Sequence, residues 1–375
     1  MDEINLNSPI PTSPAKKTGI ILKIIAGIVV LGVVGAGVCL GTRIWDPLWN
    51  PFRPSPEKVI DEMTINMKEV RSLHTDTEIN LWSEQEAKTT SEISLIINND
   101  SNLEDLDNPK TSGSFLMRTT SQVETVSQGP EFSVSGKIRS IGDASYFKID
   151  EIPLQLQFLL AFQGINADEV IGNWIKVDKE GLENLMKQKY STPQGLEIIE
   201  QQQEEQKVMI EKIQKILEGK KLYYPKELPD EEIGDQKTYH YLLILNKEEI
   251  KNIIPDVLEI IFESAGNGLI GDGFQKAFLI GGITNSIEEF LNKIGELSAE
   301  VWIGKKDLLL YRVRMEKEMD LSEFEKSAKG IISVSFEINL TEFDQSIVIE
   351  APESSIPFEE IIPKEPVRFP LTPIK

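Results

Sequence analysis

The sequence predicts an α+β protein: an N-terminal transmembrane helix, then an antiparallel sheet with helices on one face. Two observations carry this. Residues Ile24 to Leu40 are uninterruptedly apolar or small. After them, strand-like and helical patterns occur in separate runs rather than in alternation, the pattern of an antiparallel sheet with segregated helices.

The seventeen residues from Ile24 to Leu40 span about 25 Å as a helix. With Ile20 to Leu22 included and Lys23 snorkelling, the segment approaches the hydrocarbon thickness of a bilayer. Lys16, Lys17 and Lys23 precede the apolar core and only Arg43 follows closely, which places the N-terminus in the cytoplasm and the chain after residue 45 outside. Cleavage as a signal peptide near Ala36, or lipidation at Cys39, are the alternatives to a permanent anchor. Val38 does not suit lipidation, because a small residue is expected before the modified cysteine. Gly32-x-x-x-Ala36 and Gly37-x-x-x-Gly41 have the spacing that lets two membrane helices approach.

Residues 1–17 read as a disordered cytoplasmic tail, 18–45 as the membrane helix and 46–55 as a Pro-rich linker. The outer domain is expected over 56–355, with a helical excursion at 179–220 and a Pro-rich tail at 356–375. Ser55 followed by Pro56 is a helix start, and Ile60, Met63, Met67 and Val70 fall on one helical face. Period-two or β-rich patterns then predict strands at 73–82, 89–97, 114–120, 122–126, 132–141, 144–149 and 173–177. Pro153 to Ile165 is apolar enough to be a buried helix. The run 197–207 is polar nearly all round, as a solvated helix would be. A second cycle has a strand at 238–245, a helix at 247–264 interrupted around Pro255, a helix at 286–294, and strands at 299–303, 308–317, 331–340 and 347–350.

The chain carries 39 Lys and Arg against 61 Asp and Glu, a net charge of −22. The first 43 residues carry four basic and two acidic groups, so the rest of the chain carries a net charge of −24. Such a surface excludes nucleic acid as a partner, since phosphate backbones require a basic face. With one cysteine there is no disulfide framework and no cysteine-based metal site. The core has to hold by burial alone.

Several segments are landmarks of a known family. Met67-Lys68-Glu69-Val70-Arg71-Ser72-Leu73-His74-Thr75 runs from the opening helix into a strand. Asn173 to Asp178 (NWIKVD), Gly234 to Tyr241 (GDQKTYHY) and Ala299 to Lys306 (AEVWIGKK) follow in order, and Phe343-Asp344 with Ile347 to Pro352 close the series. In order and texture these resemble the extracytoplasmic lipoprotein-carrier superfamily, the LolA-like and LppX/LprG-like proteins. The resemblance implies a curved antiparallel half-barrel with helices on its concave face, and acyl chains bound without catalysis in the cavity between. The polar run at 197–207 and the membrane helix in place of a lipobox depart from that pattern. An anchored carrier cannot diffuse between membranes.

Other motifs point less far. Gly266-Asn-Gly268-Leu-Ile-Gly271 spells the dinucleotide fingerprint, but a helical pattern rather than a strand precedes it. It reads instead as part of a Gly-rich connection, 266–282, whose apolar residues form a lid or plug. Residues 98–108 concentrate oxygen ligands without EF-hand spacing and read as an acidic hairpin turn, weak calcium binding being the alternative. His74 and His240 are the only histidines, too few for a multi-histidine zinc site, and neither has a GxSxG partner. No cofactor, catalytic residue or metal site is expected.

The predicted cavity contacts are Leu154, Leu156, Phe158, Leu159, Phe162, Phe274, Phe278 and Leu279. The expected partners are a lipid or other hydrophobic ligand and, through residues 18–45, the membrane. A cell-envelope interaction module with a filled core, meeting a protein partner, is the alternative.

Overall fold

A computed structural model describes residues 54–85, 89–106, 108–123, 131–178, 181, 208–264, 273–325 and 328–362. The predicted tail 1–17, membrane helix 18–45, Cys39 and the polar run 197–207 lie outside these residues. Among the described residues no helix is long and apolar enough to cross a membrane.

The fold opens with helix α1, Pro56–Met67, whose start follows from its sequence. Pro56 stands at the first helical position, and the Ser55 hydroxyl accepts a hydrogen bond from the Lys58 N–H at 3.3 Å. Val59, Ile60 and Met63 are its buried face. Five strands follow: β1 (Ser72–Gln85), β2 (Thr89–Asn102), β3 (Lys110–Val123), β4 (Glu131–Ile141) and β5 (Ala144–Glu151). Helices α2 (Leu154–Phe162) and α3 (Ala167–Val170) lead to β6 (Trp174–Asp178). A helical stretch at 208–217 precedes β7 (Tyr223–Ile233), β8 (Gln236–Leu245), α4 (Lys247–Ser264) and α5 (Gly273–Lys293). The chain continues with β9 (Ser298–Gly304), β10 (Leu310–Asp320), α6 (Leu321–Phe324), β11 (Gly330–Thr341), β12 (Ile356–Pro357) and α7 (Phe358–Ile361).

The described residues form one open twelve-stranded sheet of order β12-β6-β5-β4-β3-β2-β1-β11-β10-β9-β8-β7. Every neighbouring pair is antiparallel except β12 with β6. Two-residue turns close β4–β5 and β7–β8, with Gly142 and Gly234 both at φ 56°, the positive φ that such turns require. The α+β class with a mainly antiparallel sheet is therefore as expected.

Several elements differ from the sequence prediction. Strand β7 carries no strand signal of its own, because Tyr223–Ile233 reads YYPKELPDEEI, with two prolines and little alternation. It lies at the sheet edge, where a missing N–H is tolerated, and a register shift between Leu228 and Glu231 absorbs Pro229. Helix α4 runs through Pro255 without interruption. Helix α5 begins at Gly273, so much of the supposed Gly-rich connection is helical. Residues 347–350 form no strand; the Ile347 and Glu350 carbonyls instead accept from Asn102 Nδ2 and Arg139 Nη1, both at 2.9 Å. The first residues of the predicted C-terminal tail pair with β6.

The main core fills one half of the sheet. Val59, Ile60 and Met63 of α1, Ile250, Ile253 and Ile254 of α4, and Phe290 and Leu291 of α5 pack together against Tyr241, Val301, Ile303, Met319, Ile332 and Val334. A smaller cluster of Val170, Ile175 and Ile361 closes the β6–β12 end. Burial thus differs sharply between the two halves. Leu291→Ala, at a fully buried position, is expected to cost about 2–5 kcal/mol through its cavity. Ile138→Ala, on β4 and 38% exposed, should cost less than about 1 kcal/mol. Urea unfolding of the two variants checks this, and equal losses would contradict the division.

Candidate functional site

Strand pairing fixes which residues share a face. Side chains alternate along a strand, so directly paired residues across the sheet point the same way. Starting from the buried Tyr241, the register runs Tyr241–Val301–Val313–Ile338–Thr77–Ile97–Phe115–Gly136–Ile149 across nine strands. A neighbouring row runs Met315–Phe336–Ile79–Leu95–Met117–Val134, and another links Ile138, Phe147 and Ile175. All belong to the face that carries the helices.

Along these rows the cover disappears. Tyr241 and Val301 are 0% and 1% exposed, whereas Met117, Ile138 and Phe147 are 39%, 38% and 39% exposed. Ile97, Leu95, Phe115 and Val134 are half-buried. None of these β2–β4 side chains belongs to either buried core. A large apolar surface left open to water is unusual in a folded domain and marks a binding surface.

Gly136 sits in the middle of this surface for a steric reason. A Cβ there would lie 2.4 Å from the Lys148 carbonyl oxygen and 2.8 Å from the Phe115 ring. The absent side chain lets Phe115 lie across β4.

The opposite face is polar, as in the paired row Asn80–Ser94–Arg118–Ser133, and holds both histidines. His74 Nδ1 is 2.6 Å from Asp100 Oδ1 and its Nε2 is 3.1 Å from Asp76 Oδ1. The hydrogen bond to Asp100, with Asp76 beside it, raises the His74 pKa above the ordinary value of 6.5 in spite of partial burial. His240, buried, stacks on Trp302 with ring centroids 4.3 Å apart and has Nε2 2.8 Å from Glu300 Oε2. Trp302 Nε1 donates to Glu231 at 2.9 Å, and the Arg312 guanidinium lies over the indole. These contacts orient strands β1, β2, β8 and β9 from behind the apolar face. Among the described residues no group of three or more His, Cys, Asp or Glu side chains is arranged to hold a metal ion. Asp100 and Asn102, from the oxygen-rich run, are instead occupied with His74 and the Ile347 carbonyl.

The predicted contacts fall in two places. Leu154, Leu156, Phe158, Leu159 and Phe162 lie on α2, which buries none of its residues; their exposures run from 40% to 64%. The expected buried helix is thus an exposed one. Its apolar composition was legible, but whether it has a partner to bury against was not. Phe278 and Leu279 on α5 are also exposed, at 75% and 42%. The Phe274 side chain lies outside the described residues. The β2–β5 rows are missing from the predicted contacts, although the alternation in Ile93–Ile97 and Phe115–Met117 carries their signal. The small pocket between α1 and β7, lined by Glu57, Asp61, Lys221 and Tyr223, is polar at its rim and belongs to the filled half of the sheet.

No protein-family model matches the chain, and no curated protein matches it. Among solved structures it is similar to LprF from Mycobacterium bovis, with 14% identity and a TM-score of 0.34 over 80% of this chain and 98% of that one. It is also similar to the lipoprotein LppX from Mycobacterium tuberculosis, with 9% identity and a TM-score of 0.30 over 78% and 97%. An outer membrane lipoprotein-sorting protein domain from Vibrio parahaemolyticus follows at 8% identity and a TM-score of 0.19, over 78% and 95%. Function has to come from the geometry.

The raised His74 pKa sets a pH dependence. A protonated His74 paired with Asp100 and Asp76 stabilises the fold fully below the unfolded value of about 6.5, and that contribution is lost as pH rises through the higher folded value. Relative to His74→Gln, the native chain should be most favoured in acid, with the difference shrinking above neutrality. An NMR titration of His74 with a midpoint below 6.5 would contradict this.

Proposed function

We propose that this protein is a non-catalytic, membrane-anchored receptor for a lipid or other hydrophobic ligand, held on the open apolar face of β2–β5. The observation that carries the reading is the row structure itself: one continuous apolar face, filled by helices on the β8–β11 side and half-exposed on the β2–β5 side. A flexible aliphatic guest suits such a face, because it needs no directional contacts and gains by leaving water. An acyl chain that removes about 300 Å² of apolar surface from water gains on the order of 7 kcal/mol before ordering costs.

In this reading residues 18–45 anchor the chain, residues 56–355 form the outer domain outside the cytoplasmic membrane, and the sheet curves as a half-barrel around its ligand. Helices α2 and α5 border the binding face, with Leu154, Leu156, Phe158, Leu159, Phe162, Phe274, Phe278 and Leu279 as the contacts they bring. The alternative, an interaction module for a cell-envelope protein, draws on the filled β8–β11 half. The exposed half favours the ligand.

Uptake of a fluorescent fatty acid by the delipidated full-length protein in detergent tests the proposal. The native chain should bind it saturably. Met117→Lys and Ile138→Lys, each placing a charge on the open face, should weaken binding about ten-fold or more while leaving the unfolding transition nearly unchanged. Equal binding by native and Lys-substituted chains would contradict the assignment of the face.

A further inference from the structure

Helix α2 stands apart from the rest of the surface in its chemistry. The fifteen residues from Ile152 to Asn166 contain no charged residue, in a chain that is 27% charged and carries a net charge of −22. Within that stretch Leu154, Leu156, Phe158 and Leu159 are 61%, 40%, 59% and 52% exposed. No side chain of α2 is buried against the sheet.

Its position along the strands is equally informative. The register runs Leu242–Glu300–Arg314–Glu337–Glu78–Ile96–Leu116–Ser135–Glu151, so the end of β5 lies level with the last residues of β8, where Leu245 pairs with Tyr223 at the start of β7. Helix α2 therefore leaves the sheet at the end of the strands where β7 begins. Glu57 and Asp61 in the first half of α1 border Tyr223 and Tyr224 at that same end. Helix α1 then runs to the opposite end, where Asn66 Nδ2 donates to the Asp307 carbonyl at 2.8 Å. The chain thus arrives from its N-terminal segment at the end of the sheet that carries α2. Residues 46–55, the predicted linker, reach at most about 35 Å when fully extended, so a membrane anchor at 18–45 holds this end close to the bilayer.

We propose that α2 docks on the lipid bilayer surface, inserting Leu154, Leu156, Phe158 and Leu159 among the headgroups and upper acyl chains. The inference rests on the reading of residues 18–45 as an anchor. A bilayer is the occupant that fits: α2 is uncharged and apolar round its circumference, with no ion-pairing group for an acidic or basic protein partner. Glutamines at 155, 157 and 163 supply polar groups that an interface tolerates. Docking would set the open β2–β5 face against the membrane from which an apolar ligand comes.

The test uses the full chain with Cys39→Ala, carrying a single cysteine at Phe158→Cys or, at the opposite end of the strands, at Lys306→Cys. Each is labelled with an environment-sensitive fluorophore and reconstituted in phosphatidylcholine vesicles with nitroxide-bearing lipids. The label at position 158 should shift to the blue and be quenched at least two-fold, while the label at 306 stays unquenched. Leu154→Glu combined with Leu159→Glu should abolish the quenching at 158 while the protein still floats with the vesicles. Protein that floats but shows no quenching at 158, with or without a blue shift, overturns docking and leaves the anchor standing. Protein that does not float overturns both. Met117→Lys should leave the quenching intact, so loss of ligand binding and loss of docking are read separately.

Discussion

Continuity of hydrogen bonding across the sheet is the constraint on which the rest of the structure depends. Because neighbouring strands pair residue to residue from β8 to β5, a side chain's face is decided for the whole row at once. Tyr241 is buried under helices, so Ile97 and Phe115 in its row must point to the same side. The protein cannot turn those residues inward elsewhere. It has to cover them or leave them open, and α1, α4 and α5 cover only the β8–β11 half. An apolar face that water touches is costly, and a ligand that removes it from water is stabilised for the same reason.

The polar face reinforces this arrangement from behind. His74 with Asp76 and Asp100 ties β1 to β2, and His240 with Glu300 and Trp302 ties β8 to β9. Arg312 extends the second group to β11 through Asn339 at 2.6 Å. The only two histidines of the chain thus act as cross-strand fasteners on the side away from the apolar rows. The excess negative charge solvates the surface and leaves two uncharged regions conspicuous, the β2–β5 rows and α2.

Most of the fold was legible because it rests on local signals. The Ser55-Pro56 start of α1 and the alternation in β2, β4 and β8 are written in consecutive residues. What was not legible depends on partners distant in sequence. Strand β7, with Pro225 and Pro229, becomes a strand only because β8 offers it an edge. Pro255 removes one hydrogen bond from α4, yet burial of Ile250, Ile253 and Ile254 on its inner face holds the helix together across that gap. The sequence LQLQFLLAF of α2 has the composition of a core helix, and no local signal tells that none of its residues is buried. The site was half legible for the same reason: apolar helices can be picked out along the chain, whereas an uncovered sheet face emerges only from the register between strands and the reach of the helices that fail to cover it.

The most direct measurement is native mass spectrometry of the full-length protein released from detergent, before and after lipid extraction. A discrete adduct of lipid mass should be present, disappear on extraction and return when membrane lipids are added back. A clean apo mass that stays unchanged after incubation with those lipids would contradict the central claim, and the open face of β2–β5 would then belong to a protein partner.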